Sequence, residues 1–279
     1  MPLLKAKKIP VGPIVLLLPM IVCGIFGQFF YPHNPEGMDL AISLRPPAWL
    51  PGGEWTNILG TDHLGRDLLT RLIAGARASL IVALFGVAIA GLTGISLGMV
   101  AGYSDGIIDN IIMRIVDSVM SIPAILLAIL IAAALGPGMT TIIISIAIVF
   151  WTAYARVIRG ETLRIKQHDF VVQARVTGCG SLRIIMKHIA PNIVATGMVL
   201  ATLQLGQSIM VEAALTFLGL GRQPPASAWG LIISEGRGYL STAWWIPTFA
   251  GLAIMMTVLG ANMMGDWLRD ALDPKLRQI

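Results

Sequence analysis

Charge is what this chain has least of. Asp, Glu, Lys and Arg make up 13% of its 279 residues, about half the roughly 25% of a soluble globular domain. That shortage excludes a disordered segment, a coiled coil and a nucleic-acid module, each of which needs far more charge. Cysteine is nearly missing too: Cys23 falls in an apolar run and Cys179 in a basic loop, which excludes a disulfide framework or a thiolate metal site. The histidines His33, His63, His168 and His188 have no metal-ligand spacing, and no His-Glu-x-x-His occurs. The sequence has no Gly-Lys pair, hence no phosphate-cradling loop, so this chain is no ATPase and ATP with its Mg would sit on another subunit. What the chain does have is apolar bulk, with 56% hydrophobic residues and a mean hydropathy of +0.78. An all-α polytopic membrane protein is left. Its net charge of +5 then belongs to Lys and Arg flanking membrane spans on the cytoplasmic side rather than to a nucleic-acid surface.

Crossing the hydrocarbon core as a helix takes about 20 mainly apolar residues, because each backbone N–H and C=O must be satisfied within the segment. Uncharged stretches lie at residues 9–35, 78–104, 118–155, 193–211 and 238–265. The third is too long for one helix and carries Gly136-Pro137-Gly138, a turn signal that divides it, so about six spans are expected. The first follows Lys5, Lys7 and Lys8. It exceeds the roughly 7–15 apolar residues of a signal peptide and lacks a small-x-small cleavage site, and is therefore read as a retained span. Placing both termini in the cytoplasm puts fourteen basic residues inside: Lys5, Lys7, Lys8, Arg114, Arg156, Arg159, Arg164, Lys166, Arg175, Arg183, Lys187, Arg269, Lys275 and Arg277. It leaves six outside, Arg45, Arg66, Arg71, Arg77, Arg222 and Arg237, in accord with the positive-inside rule. A cap signal at Thr61-Asp62 and apolar residues from Leu64 to Ile73 at helical spacing predict a separate surface helix carrying Arg66, Arg71 and Arg77.

The expected organisation is therefore a tail and first span (1–35), an extracytoplasmic loop (36–77), a core (78–265) and a cytoplasmic tail (266–279). Within the core, residues 156–192 form one long cytoplasmic segment. Asp169 can cap a helix through Thr177, Gly178 suits the residue after its end, and Ser181 can cap a second helix closed by Pro191. In that second helix Leu182, Ile185 and Ile189 share one face, and Arg183 and Lys187 lie together on another. Such an amphipathic elbow fits either a partner's groove or anionic lipid.

Gln173-Ala174-Arg175-Val176-Thr177-Gly178 and Ile189-Ala190-Pro191-Asn192 resemble the signature loop of ABC-importer permeases. That pattern is Glu-Ala-Ala, three residues, Gly, nine residues, then Ile-x-Leu-Pro. Gly178 and Pro191 keep its spacing, while Val172, Gln173, His188 and Ala190 depart from its residue types. Further segments are similar to the second permease subunit of the oligopeptide/dipeptide/nickel branch: Gly60-Thr61-Asp62-His63-Leu64-Gly65-Arg66-Asp67, Phe217-Leu218-Gly219-Leu220-Gly221, Ala243-Trp244-Trp245 and Gly265-Asp266-Trp267, running on to Asp273-Pro274. The resemblance implies a type I importer permease fold in the bacterial inner membrane. It implies as partners a paralogous permease, two ATPase subunits and an extracytoplasmic binding protein, besides membrane lipid, and no nucleic acid. It also assigns the ATPase-coupling role to the elbow, with Phe170, Ala174, Arg175, Gly178, Arg183, Lys187 and Pro191. The cargo it implies is a di- or oligopeptide, with nickel as the alternative.

Glu212 is the acidic residue inside a predicted span, where a charge costs roughly 2.5–3.5 kcal/mol at the centre. It either lines the translocation path or caps a neighbouring helix. Gly86, Ala90, Gly94 and Gly98 recur every fourth residue and would let another helix approach closely. Pro123, Pro137 and Pro247 mark either hinges or helix ends. A stand-alone proton-coupled carrier would need more buried ionisable groups and inverted repeats, neither of which is apparent.

Overall fold

A computed structural model describes residues 10–272, all helix and loop apart from one isolated bridge between Thr61 and Asp67. Lys5, Lys7, Lys8, Lys275, Arg277 and the Asp273-Pro274 ending lie outside the described residues. The α-helices are α1 (Val11–Phe26), α2 (Leu68–Ser104), α3 (Gly106–Met120), α4 (Ala124–Leu135), α5 (Met139–Ile165), α6 (Asp169–Val176), α7 (Ser181–Ile184), α8 (Ala190–Phe217), α9 (Trp229–Gly236) and α10 (Trp245–Leu272). Five helical stretches are long and apolar enough to cross a membrane, and α3 with α4 makes a sixth crossing if that bent pair counts as one.

The small-residue stripe on α2 does what its spacing predicts. A side chain at Gly94 would put its Cβ 2.3 Å from the Trp151 carbonyl oxygen, and one at Gly98 2.7 Å from that of Ala155. Backbone therefore meets backbone along α2 and α5, the most extensive helix pairing in the protein. Val82, Val87, Ala90, Ile142, Ile146 and Tyr154 fill the seam, with Ala128 and Ala132 of α4 and Leu215 of α8 closing it. A second core joins α1, α2, α9 and α10 through Met20, Leu68, Ala76, Trp229, Ile232, Trp245 and Ile246.

Several boundaries differ from expectation for identifiable reasons. The surface helix predicted from Thr61-Asp62 is not a separate element: α2 starts at Leu68 and runs unbroken to Ser104, so the expected division at residue 77 falls inside a helix. Its cap is Asp67, whose carboxylate accepts from the Thr70 N–H at 2.8 Å and the Thr70 hydroxyl at 2.6 Å. The third span is broken by 89° between α3 and α4, because Pro123 cannot donate a backbone hydrogen bond and sits at the N-cap of α4. Gly136-Pro137-Gly138 does form the turn between α4 and α5. The last span is shifted: α10 begins at Trp245 and takes in residues 266–272, which were expected in the tail. Pro123, Pro137 and Pro247 thus sit at helix ends or in a turn.

Candidate functional site

The cytoplasmic elbow rests on a small apolar core of its own. Val171 and Ala174 of α6, Ile184 of α7 and Ile189 pack against Ile158 and Ile165 of α5 and Ile193 of α8. The Thr177 N–H reaches the Gln173 carbonyl at 2.9 Å, and the Cys179 N–H the Ala174 carbonyl at 3.0 Å, so the end of α6 is closed by the chain folding back. That reversal needs Gly178 at φ +80°, a left-handed conformation that side chains disfavour. Nothing lies within 4 Å of a Cβ added there, so the position is conformationally constrained and otherwise open.

The second arm departs from its expected form. Ser181 is the first residue of α7 and Gly180 its N-cap, just as Asp169 is the first residue of α6 and His168 its N-cap. Pro191 does not close the helix. Residues Ile185–Ile189 form a π-turn, the Ala190 N–H bonding to the Ile185 carbonyl, and the chain continues straight into α8. A proline ring collides with the carbonyl four residues back, and a wide turn relieves that collision. The Asn192 side-chain amide donates to the His188 carbonyl at 2.6 Å, satisfying one of the displaced acceptors. The extra residue also changes the register. Ile184 and Ile189 turn inward, while Leu182, expected on the apolar inner face, is 74% exposed.

The elbow therefore presents Phe170, Val172, Val176, Leu182 and Met186 to the exterior, with Arg183 and Lys187 exposed among them. The Phe170 ring stacks on His168, centroids 5.7 Å apart, and leans on His188 at 6.4 Å. Arg175 lies over the Tyr103 ring at 5.7 Å, while Lys166 donates to the Tyr103 carbonyl at 3.0 Å and pairs with Asp105. Hydrogen bonding from Lys166 holds the Asp105 carboxyl below its ordinary value. Arg159 grips Asp109 of α3 through two bonds of 2.6 Å. Of the expected coupling residues, Phe170, Arg175, Gly178, Arg183 and Lys187 are thus on the open surface, Ala174 is buried beneath it, and Pro191 sets the join to α8.

Glu212 is elsewhere. It is 1% exposed near the outer end of α8, accepting from the Ser79 hydroxyl of α2 at 2.8 Å and from Thr216 at 3.0 Å. The carboxylate bridges two helices inside the chain; it caps neither.

The outer end holds a cluster that local spacing did not disclose. Arg66 and Arg71 are both 0% exposed. Arg66 donates to Asp62 at 2.6 Å and to Glu235 at 2.8 Å, and Arg71 donates to Asp62. Arg71 Nη2 also lies 2.8 Å from Glu235, without the alignment of a hydrogen bond. Burial pushes the Asp62 carboxyl up, but Arg71, Arg66 and the backbone N–H groups of Arg66 and Leu64 more than offset it and hold it low. Asp62, His63 and Glu235 could together present ligand atoms to a cation. Two guanidinium groups already occupy the carboxylates, so the charge at that point opposes a metal ion.

Residues 94–278 match the family described as "binding-protein-dependent transport system inner membrane component". The chain is 43% identical over 271 residues to the di/tripeptide transport system permease protein DppC of Pseudomonas aeruginosa, covering 97% of this chain and 89% of that one. It is 42% identical over 274 residues to the dipeptide transport system permease protein DppC of Escherichia coli K12 (98% and 91% covered). Against the probable D,D-dipeptide permease DdpC of the same strain, identity is 38% (98% and 90% covered). Among solved structures, a chain of the inward-facing methionine ABC transporter MetNI superposes with a TM-score of 0.61 at 18% identity, over 74% of this chain and 98% of that one, a likeness of fold.

Proposed function

The chain belongs to the binding-protein-dependent transport system inner membrane components and is a multi-pass permease subunit of a bacterial peptide ABC importer, and we propose that it forms half of the translocation pathway and is driven through its elbow. It is a transport subunit, not an enzyme, and an importer of this kind works with an ATPase, a binding protein and a partner permease. The observation that carries the coupling role is the elbow's surface. Five large apolar side chains and two basic ones project there without a partner in the chain. Exposure on both α6 and the α7 arm, rather than along one helical stripe, suits a protein groove better than a flat lipid face.

On this reading Phe170, Gly178, Arg183 and Lys187 meet an ATPase subunit, with Ala174 and Pro191 holding the shape that presents them. The pathway is a heterodimer with a paralogous permease, served by two ATPase subunits. The chain sits in the inner membrane with both termini cytoplasmic. ATP-driven approach of the ATPase subunits would move the elbow, and through it α8, between inward- and outward-open arrangements. Deleting this subunit is expected to abolish growth on peptides supplied as the sole source of a required amino acid, with use of the free amino acid unchanged. Undiminished peptide use by the deletion strain would overturn the reading.

A further inference from the structure

The six outer arginines divide into two sets. Arg66 and Arg71 are neutralised by Asp62 and Glu235, Arg45 pairs with Glu54, and Arg237 lies over the Phe217 ring at 5.7 Å. Arg77 and Arg222 remain, and among the described residues neither makes an ion pair. Arg77 donates only to the Gln28 side-chain oxygen at 2.8 Å. Arg222 shares an electrostatic interaction with the buried Glu212 but does not contact it.

Both line one cavity of about 290 Å³. It lies at the outer end of α2, beside the first residue of α5 and the loop that follows α8. The wall opposite carries Tyr31 and Glu36, whose carboxylate has no cation partner among the described residues. Ser227, 5% exposed, completes the lining, and its buried hydroxyl has no hydrogen-bond partner. A buried hydroxyl left unsatisfied costs about 1–3 kcal/mol, so a site that keeps one open implies a polar group that arrives from elsewhere.

We propose that this cavity is a transit subsite for the two charged ends of a peptide released from the binding protein, Arg77 and Arg222 taking the carboxylate and Glu36 the ammonium. This rests on the peptide-import reading above. Guanidinium groups bind carboxylates through charge-assisted, often bidentate hydrogen bonds. Unpaired charge of both signs around a single hollow matches a small zwitterion better than it matches an acidic side chain of a partner, which would leave Glu36 opposed. The hollow falls at the lower end of the roughly 300–1,000 Å³ that small-ligand sites occupy. The Ser227 hydroxyl would meet the peptide's backbone.

The test uses the complete importer in proteoliposomes, with its binding protein and a radiolabelled dipeptide. Arg222→Gln is expected to lower initial uptake about tenfold or more, the loss that follows from one charge-assisted bond. Arg77→Gln and Glu36→Gln should lower it less, and Arg222→Lys should restore part of it. ATP hydrolysis stimulated by the loaded binding protein should stay within about twofold of the unsubstituted importer, because docking is left intact. Unchanged uptake in both arginine variants would overturn the proposal. So would a parallel fall of uptake and stimulated hydrolysis, since the arginines would then be docking the binding protein. Failure of the unsubstituted importer to take up any peptide would remove the peptide reading itself, and is told apart because it appears without any substitution.

Discussion

At the outer end of the bundle Arg66 and Arg71 are fully buried against Asp62 and Glu235; at the inner end Arg183 and Lys187 stand in the open with no carboxylate partner among the described residues. Apolar side chains follow the same division. Leu68, Trp229 and Trp245 close over the outer cluster, whereas Phe170, Leu182 and Met186 of the elbow project outward. The outer end is complete within one chain, because a buried charge left without a partner would unfold it. The inner end is stable alone only because its exposed groups are few and its own core, around Ile158, Ile184 and Ile189, is separate from them. Substitutions at the two ends should therefore fail in different ways: loss of fold outside, loss of coupling inside.

The hardest test of that contrast is Arg71→Met. It leaves an excess of buried carboxylate at Asp62 and Glu235, a change worth about 3–5 kcal/mol. Membrane-inserted chain and detergent-phase melting temperature should both fall sharply, while Arg183→Met leaves both unchanged. Equal tolerance at the two ends would erase the distinction.

Next in size is the elbow. Leu182→Asp puts a charge on the exposed apolar surface, and Gly178→Asp adds charge together with left-handed strain. Each should cut peptide uptake at least about tenfold, the scale of losing an apolar interface anchor, with chain abundance preserved. Normal uptake by both variants would mean that the exposed surface meets no partner.

A smaller effect follows from acid. The Asp62 carboxyl is held below its ordinary value of 3.8 in the folded chain, so its stabilisation is complete above that value and is lost as pH falls through the lower, folded one. The melting-temperature difference between the parent and Asp62→Asn should stay flat from about pH 7 to about pH 5 and contract only in stronger acid. Contraction already at mild pH would show that the arginines do not govern this carboxylate.

Least perturbing is labelling of the native thiols. Cys179 is partly exposed on the elbow, and Cys23 packs on the core between α1 and its neighbours. A membrane-impermeant maleimide should reach neither in spheroplasts, and Cys179 alone in inside-out vesicles stripped of ATPase. Labelling of Cys179 from outside would exchange the two ends.

The spans were legible because apolar length is a property of contiguous sequence, and the α2 stripe because Gly86, Gly94 and Gly98 repeat at helical spacing. The left-handed turn at Gly178 was legible for the same local reason. The outer cluster was not. Asp62, Arg66 and Arg71 lie close together in sequence, but the fourth member, Glu235, is 169 residues from Arg66, and only the packing of α9 against α2 brings it in. The elbow's register was read wrongly because a π-turn shifts every later side chain, and periodicity assumes that no residue is inserted. Had Pro191 been weighed as a residue inside a continuing helix, the wide turn would have been the natural remedy.

That wide turn has a consequence for how motion is transmitted. Because α7 runs into α8 without a loop, the elbow and the fifth span share one axis, and each residue of an α-helix advances about 100° around it. Ordinary pairing across Ile185–Ile189 would therefore swing the elbow about 100° around the α8 axis. The ring of Pro191 obstructs that pairing and so fixes the angular phase between the two, which makes the join a keyed shaft: a twist applied at the elbow arrives at the outer end of α8, where Glu212 bridges to α2, instead of being absorbed on the way.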